Sequence, residues 1–203
     1  MHAVIFDIDG TLLNSASVDD ELYRESVSSV LGPVSFRPSL EDYEFVTDAG
    51  ILSQLCIDNS ISPNSNCIAA IKREFVAALR SYVKSYGPFS EIPGAKSFLS
   101  ELGNSESYAV AIATGGWYET ATLKLDSAGF DRAGLLLATS DDSMDRRKIM
   151  KFALSKLGSD FSSITYYGDA PWDCRACESL GWQFVAVGSA LGGIESYQEL
   201  GAA

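Results

Sequence analysis

Histidine, cysteine and basic residues are scarce in this chain. It contains one histidine and four cysteines among 203 residues. His2 begins the first predicted strand, and Asp7 follows the end of that strand about 15 Å away at the usual rise per residue. We therefore do not expect histidine-based nucleophilic or acid–base chemistry at Asp7. Catalysis there would have to use carboxylates, lysine, threonine and a metal ion.

The cysteines form no dense disulfide framework. Cys174 and Cys177 have the C-x-x-C spacing, but they fall within a predicted helix, and no second pair of ligands is available for zinc. We interpret them as ordinary thiols, which indicates a reduced, cytoplasmic protein.

Basic residues number 15 against 27 acidic ones, so the formal net charge is −12. This charge argues against nucleic acid and anionic membranes as partners. No apolar run is long enough to cross a bilayer, and the first strand begins too close to Met1 to leave room for a signal peptide. If the substrate is an anion, local cations must overcome the overall negative charge.

The most informative stretch is Asp7-Ile8-Asp9-Gly10-Thr11-Leu12, which follows the apolar run Ala3–Phe6. The run predicts a short buried strand. Asp7 and Asp9 project to the same side of its end, and Gly10 allows the chain to turn. Two carboxylates so close together are unfavourable unless a cation lies between them. We therefore predict a divalent-metal site at the carboxyl end of a sheet, where α/β folds bind their ligands.

The chain divides into a helical block and an alternating block. Residues 15–91 show only helical patterns, with Asp19 or Asp20 as a candidate cap of the first helix. The longest predicted helix runs from about Ser65 to Tyr86 and is closed by Gly87-Pro88. After residue 92, strands alternate with helices, which predicts a Rossmann-like parallel sheet with helices on both faces. The first strand belongs to the same sheet. We therefore expect a core formed by residues 1–14 and 92–203, with an all-helical cap inserted at 15–91.

Polar residues follow two of the later predicted strands. Thr114-Gly115-Gly116 could hold a phosphoryl oxygen through a hydroxyl and free amides, or Thr114 could simply cap the next helix. In Gly168-Asp169-Ala170-Pro171-Trp172-Asp173, helix capping accounts for one aspartate but poorly for both, so we favour metal ligation.

Three basic residues, Arg146, Arg147 and Lys148, begin a predicted helix, where positive charge opposes the helix dipole. Either one cation turns inward towards the carboxylates, or the three form a solvated turn beside neighbouring acids. Between two helices of the insertion, the loop Thr47–Gly50 is a candidate specificity segment, although for Asp48 itself we favour a helix-capping turn.

With these pieces in order, the whole chain resembles the haloacid dehalogenase-like (HAD) superfamily with a C1-type cap. The four matching motifs are Asp7-x-Asp9-Gly10-Thr11-Leu12, Thr114, Lys148 and Gly168-Asp169-x-x-x-Asp173. Ile149 departs from the family pattern, in which proline usually follows the motif lysine. Arg147 or Lys151 could therefore replace Lys148.

The resemblance implies a phosphatase acting on a small phosphorylated metabolite. Asp7 would be the nucleophile and Asp9 the general acid and base. Mg²⁺ would be held by Asp7, the Asp9 carbonyl, Asp169 and Asp173. The phosphate would be bound by Gly10, Thr114, Gly115 and Lys148.

Three other activities are compatible with this fold. A phosphotransferase or phosphomutase is disfavoured because relatives of that type carry a histidine in the cap, and this cap has none. A 2-haloacid dehalogenase is disfavoured because such relatives work without metal and lack the second aspartate. A HAD-like protein that binds without turnover remains a further alternative. Oligomeric state is not readable from the sequence.

Overall fold

A five-stranded parallel sheet forms the centre of the molecule. The structure, a computed structural model, describes residues 1–158 and 160–200. The strand order is β3-β2-β1-β4-β5, and all four pairings are parallel. The strands are β1 (His2–Phe6), β2 (Tyr108–Ala113), β3 (Leu136–Ala138), β4 (Ser163–Gly168) and β5 (Gln183–Ala186). The predicted α/β class with a parallel sheet is confirmed.

Helices cover both faces of this sheet, as alternating strands and helices require. The four helices that follow the insertion are α4 (Ala95–Gly103), α5 (Tyr118–Ser127), α6 (Arg146–Leu157) and α7 (Pro171–Leu180). Ile5 of β1 packs on the face covered by α6 and α7, and Phe6 packs on the opposite face, covered by α4 and α5.

Three α-helices lie in the chain between β1 and α4: α1 (Ala16–Leu31), α2 (Asp48–Asp58) and α3 (Ser65–Tyr86). The bounds of α3 agree with the prediction, because its signals are local. The Asn64 side chain accepts a hydrogen bond from the Cys67 amide at the start, and Gly87 adopts a positive φ of 92° at the end.

The helical insertion shares its hydrophobic core with the sheet domain. Trp117, at the start of α5, is almost fully buried. Its ring centroid lies 5.7 Å from that of Tyr23 in α1 and 6.4 Å from that of Phe75 in α3. The insertion is therefore packed onto the sheet domain and does not enclose a separate core of its own.

Within the described part of the chain, no helix combines the length and the apolar character needed to span a membrane.

Candidate active site

The loop after β1 brings two carboxylates to the carboxyl edge of the sheet. Asp7 is buried, and the Leu12 and Leu13 amides both donate to the Ile8 carbonyl, which closes a tight turn. Gly10 has a φ of 77°, and a Cβ on it would lie 2.1 Å from Asp169 Oδ2. Glycine is therefore required there for both its conformation and its lack of a side chain.

The carboxylates from β1 and β4 converge, as the sequence predicted. Asp7, Asp169 and Asp173 each offer an oxygen, and these oxygens lie within 4.8 Å of one another. Asp173 is fully buried in the first turn of α7. Asp9 is not part of this group, because its carboxylate points to a lysine described below.

Burial perturbs the titration of all three carboxyl groups. It raises the pKa of Asp7, although Arg146 opposes the rise. Burial, reinforced by Asp7 and Asp173, raises the pKa of Asp169 to about 8. Burial also raises the pKa of Asp173 to about 7, against the effect of Arg146. Three carboxylates this close ionise together only if a cation balances them.

The chemistry of this cluster fits a bound cation. Asp7 Oδ1 is buried and accepts no hydrogen bond from any residue that the structure describes, and an unpaired buried carboxylate oxygen is unfavourable unless a ligand satisfies it. Oxygen atoms are the ligands that hard divalent cations prefer. The cluster could therefore hold a metal ion.

Arg146, the first residue of α6, provides the positive side chain beside these carboxylates. Its Nη1 lies 3.2 Å from Asp7 Oδ2 and 2.8 Å from Asp173 Oδ1. It also donates to the Tyr166 hydroxyl and the Val46 carbonyl. Burial acts to lower the pKa of Arg146, but the carboxylates outweigh it and raise the value, so the side chain stays charged.

Lys148, the residue that the sequence favoured for this position, lies on the exposed face of α6. Helical periodicity explains the difference. The buried face of α6 carries Ile149, Met150 and Ala153, and Arg146 shares that face at the spacings i+3, i+4 and i+7. The expectation that one cation of the basic cluster turns inward is met by Arg146, and the periodicity of the helix could have identified it.

Lys124 is a site residue that the sequence analysis did not single out. It lies in α5, is completely buried, and its Nζ is 2.6 Å from both carboxylate oxygens of Asp9 and 2.5 Å from Asp19 Oδ1. Burial, together with repulsion from Asp9, raises the pKa of Asp19 to about 7 even though Lys124 opposes it. A single lysine in a helix carries no sequence signal for such a role, because only the fold brings it to the end of β1.

Ser15 also holds Asp9. Its hydroxyl donates to Asp9 Oδ1 over 2.6 Å. Ser15 occupies the N-cap position of α1 but makes no capping bond with its side chain. The helix thus begins before Asp19 and Asp20, the candidate caps from the sequence, and Asp19 faces Lys124 instead.

Thr114 is buried at the end of β2 and lines the same cavity as Asp7. Its hydroxyl accepts from the Gly116 amide, so it closes a turn and does not cap α5. The first turn of α5 is instead held by Asp48, whose Oδ2 accepts from the Trp117 amide over 2.8 Å. The role of helix cap on α2 belongs to Thr47, which accepts from the Gly50 amide.

These groups surround one cavity of about 170 Å³ between the sheet edge and the helical insertion. It is lined by residues that the sequence singled out and by residues of the insertion. From the sheet edge come Asp7, Asp9, Thr114, Gly115, Gly116, Arg146, Asp169 and Trp172; from the insertion and its loops come Ala16, Asp19, Asp20, Tyr23, Leu40, Val46, Thr47, Asp48 and Ile51. Gly10, Lys148 and Asp173 do not line it, but Gly10 lies beside Asp169 and Asp173 contacts Arg146.

The acidic cluster and Arg146 both lie within the stretch of the chain that matches a known family of hydrolases. The family model of haloacid dehalogenase-like hydrolases matches residues 1–181, and the chain belongs to this family.

Solved structures show the same fold at low sequence identity. A hydrolase from Pseudomonas syringae is 23% identical, with a TM-score of 0.73, over 100% of this chain and 91% of that one. CbbY from Rhodobacter sphaeroides, in complex with phosphate, is 18% identical, with a TM-score of 0.70, over 96% and 88% of the two chains. A β-phosphoglucomutase from Clostridium difficile is 16% identical, with a TM-score of 0.70, over 99% and 87%. No match was found among curated proteins.

Proposed function

We propose that this protein is a Mg²⁺-dependent phosphatase that hydrolyses a small phosphorylated metabolite. The observation that carries the proposal is the position of Asp7, a buried carboxylate with one oxygen unpaired and the other beside Arg146. Thr114 and Asp169 line the same cavity. A nucleophile, cationic and hydroxyl groups for phosphoryl oxygens, and a carboxylate cluster for a metal thus face one space.

Asp7 would attack the phosphorus in line and form an aspartyl-phosphate. Asp9 would protonate the leaving oxygen and then activate the water that hydrolyses the intermediate. The Asp9 carboxylate is held by Lys124 and Ser15. These contacts hold the carboxylate in one orientation beside the cavity that Asp9 lines.

Phosphoryl oxygens would be bound by the side chains of Arg146 and Thr114 and by the Gly115 backbone. Arg146 takes the part that the sequence gave to Lys148, because its guanidinium is already beside Asp7. Such preorganised donors contribute most of the barrier reduction in phosphoryl transfer.

Asp7, Asp169 and Asp173 would hold Mg²⁺, together with the Asp9 carbonyl. Bound there, the ion would offset the carboxylate charge and that of the phosphoryl group.

The helical insertion would act as the cap that excludes bulk water and selects the substrate. It supplies Tyr23, Leu40 and Ile51 to the cavity wall.

The four cysteines are free thiols, which agrees with a cytoplasmic location.

A phosphomutase is the second candidate, because a β-phosphoglucomutase is among the proteins of similar fold. Against it, the chain has no histidine beyond His2, which lies at the far end of β1. Transfer of phosphate to a sugar hydroxyl instead of water would support the mutase.

The proposal is tested by release of inorganic phosphate from a panel of phosphorylated metabolites, with Mg²⁺ and with a chelator. We expect release that requires the metal and is abolished in Asp7→Asn. The matched control is Asp126→Asn, which changes an exposed carboxylate paired with Arg132. Metal-independent turnover, or activity retained in Asp7→Asn, would refute the assignment, and binding without turnover would indicate a non-catalytic protein.

A further inference from the structure

We infer that the substrate is a small phosphate monoester whose alcohol part carries no second anionic group. This inference rests on the proposed phosphatase function and specifies the substrate class of the same site. It follows from how charge is distributed between the two ends of the cavity.

The cavity has a phosphate end and a leaving-group end. Asp7, Thr114, Arg146 and Asp169 mark the phosphate end. The leaving-group end is formed by the insertion, whose polar groups there include three carboxylates and whose apolar groups form the rest of the wall. The carboxylates are Asp19, Asp20 and Asp48, and the large apolar or aromatic side chains are Tyr23, Leu40, Val46 and Ile51.

No cation lines the leaving-group end in the described part of the chain. Arg146 is the one lysine or arginine on the cavity wall, and Asp7 and Asp173 already engage it. Lys124 lies behind the wall and is shared between Asp9 and Asp19. A carboxylate or second phosphate on the substrate would therefore face carboxylates with no positive group to receive it.

Asp20 is the carboxylate of this group whose substitution should disturb the fold least, because its side chain is partly exposed. Its Oδ2 lies 2.8 Å from Arg24 Nε in the same helix, and both side chains are partly exposed. Arg24 does not line the cavity, so the pair presents its acidic partner to the substrate.

Other arginines near the site are also paired. Arg147 and Arg175 line a neighbouring groove that shares Arg146 with the cavity. Arg147 pairs with Asp145, and Arg175 pairs with Glu41. Among the residues that the structure describes, every arginine of this groove is therefore already engaged by an acidic side chain.

Asp19 and Asp20 are already paired with Lys124 and Arg24, so neither cation is available to balance an added anionic group, and binding of the charged form is disfavoured. Rejection of this kind gives specificity by repulsion, without requiring a new attractive contact. The cavity thus favours an uncharged or cationic alcohol part.

Matched pairs of substrates that differ only in the far group test this inference. The pairs are 2-hydroxyethyl phosphate against 2-phosphoglycolate, glycerol 3-phosphate against 3-phosphoglycerate, and a hexose 6-phosphate against the hexose 1,6-bisphosphate. For every pair that the protein hydrolyses, we expect kcat/KM to be at least about tenfold higher for the compound without the second anionic group. The ratio of the two kcat/KM values should fall as salt is added, because salt screens the repulsion.

Equal or higher kcat/KM for the anionic members would overturn the inference while leaving the phosphatase assignment intact. Absence of phosphate release from every compound, with Mg²⁺ present, would instead overturn the proposed function and this inference with it.

A substitution in the wall tests the electrostatic cause. Asp20→Asn removes one negative charge and frees Arg24, so it should reduce the preference against anionic members by about two- to fivefold, the scale of a partly exposed ion pair. Asp126→Asn frees Arg132 in the same way, away from the cavity, and should leave the ratio unchanged. An unchanged ratio in Asp20→Asn, or an equal change in both variants, would overturn the inference.

Discussion

At the scale of single residues, the site depends on two cations, each held by two carboxylates; Lys124 is buried, and Arg146 is largely so. Arg146 lies between Asp7 and Asp173, and Lys124 lies between Asp9 and Asp19. A buried ion pair contributes little net stability, but removing one partner leaves an uncompensated charge. Loss of either cation should therefore have large and distinguishable effects.

For stability, Lys124→Met should lower the free energy of unfolding by about 3–5 kcal/mol, because Asp9 and Asp19 would then face each other without a counterion. The double variant Lys124→Met/Asp19→Asn should recover part of this loss. Urea unfolding measures both. Lys148→Met, at an exposed position of α6, is the control and should stay within about 0.5 kcal/mol. Equal stability of Lys124→Met and the wild type would contradict the role of Lys124 as the counterion of Asp9 and Asp19.

For activity, Arg146→Ala should reduce kcat/KM by about 100-fold or more, as expected when a preorganised donor to a phosphoryl group is lost. Lys148→Ala should change it by less than about twofold. Steady-state phosphate release decides between them. A greater loss in Lys148→Ala would return the motif to Lys148 and displace Arg146 from the mechanism.

At the scale of elements, the site is assembled where the turn after β2 meets the start of α6. A Cβ on Gly115 would lie 2.5 Å from Arg146 Nη2 and 3.1 Å from the Val46 carbonyl oxygen. A Cβ on the adjacent Gly116 would meet nothing closer than 3.7 Å. The two glycines look alike in the sequence, and only the packing of α6 against this turn separates them.

Gly115→Ala should therefore displace the Arg146 guanidinium and lower kcat/KM about tenfold or more, since small misplacements of positioning groups have effects of this size. Gly116→Ala should have a much smaller effect. Phosphate release by the two variants, with circular dichroism as a check on folding, measures the difference. Similar losses in both would show that the turn, and not the arginine, is what the methyl group disturbs.

At the scale of the whole molecule, raised carboxyl pKa values link stability to pH and metal. The pKa values of Asp19 and Asp173 are raised to about 7 and that of Asp169 to about 8. These groups bind protons more tightly in the folded state than in the unfolded state. Their contribution to stability is thus present below about pH 4 and is lost as pH rises towards 8.

The metal-free protein should accordingly lose thermal stability between pH 5 and pH 8, and Mg²⁺ should raise Tm more at pH 8 than at pH 5, because a cation binds the ionised carboxylates. Asp169→Asn should weaken both effects. Thermal unfolding with and without chelator at the two pH values provides the measurement. A Tm that rises with pH in chelator, or a Mg²⁺ shift unaltered in Asp169→Asn, would contradict the acidic cluster as the metal site.

The sequence alone determined the parallel α/β core, the bounds of α3 and the convergence of Asp7 with Asp169. These features depend on local periodicity, on caps and on the rule that parallel strands end at one edge. The periodicity of α6 could have assigned Arg146 to Asp7, whereas only the tertiary structure decided that Lys124 holds Asp9 and that acidic groups dominate the leaving-group end. Those features arise from contacts between α5, α6 and the helical insertion, and no local pattern specifies which side chains distant elements bring together.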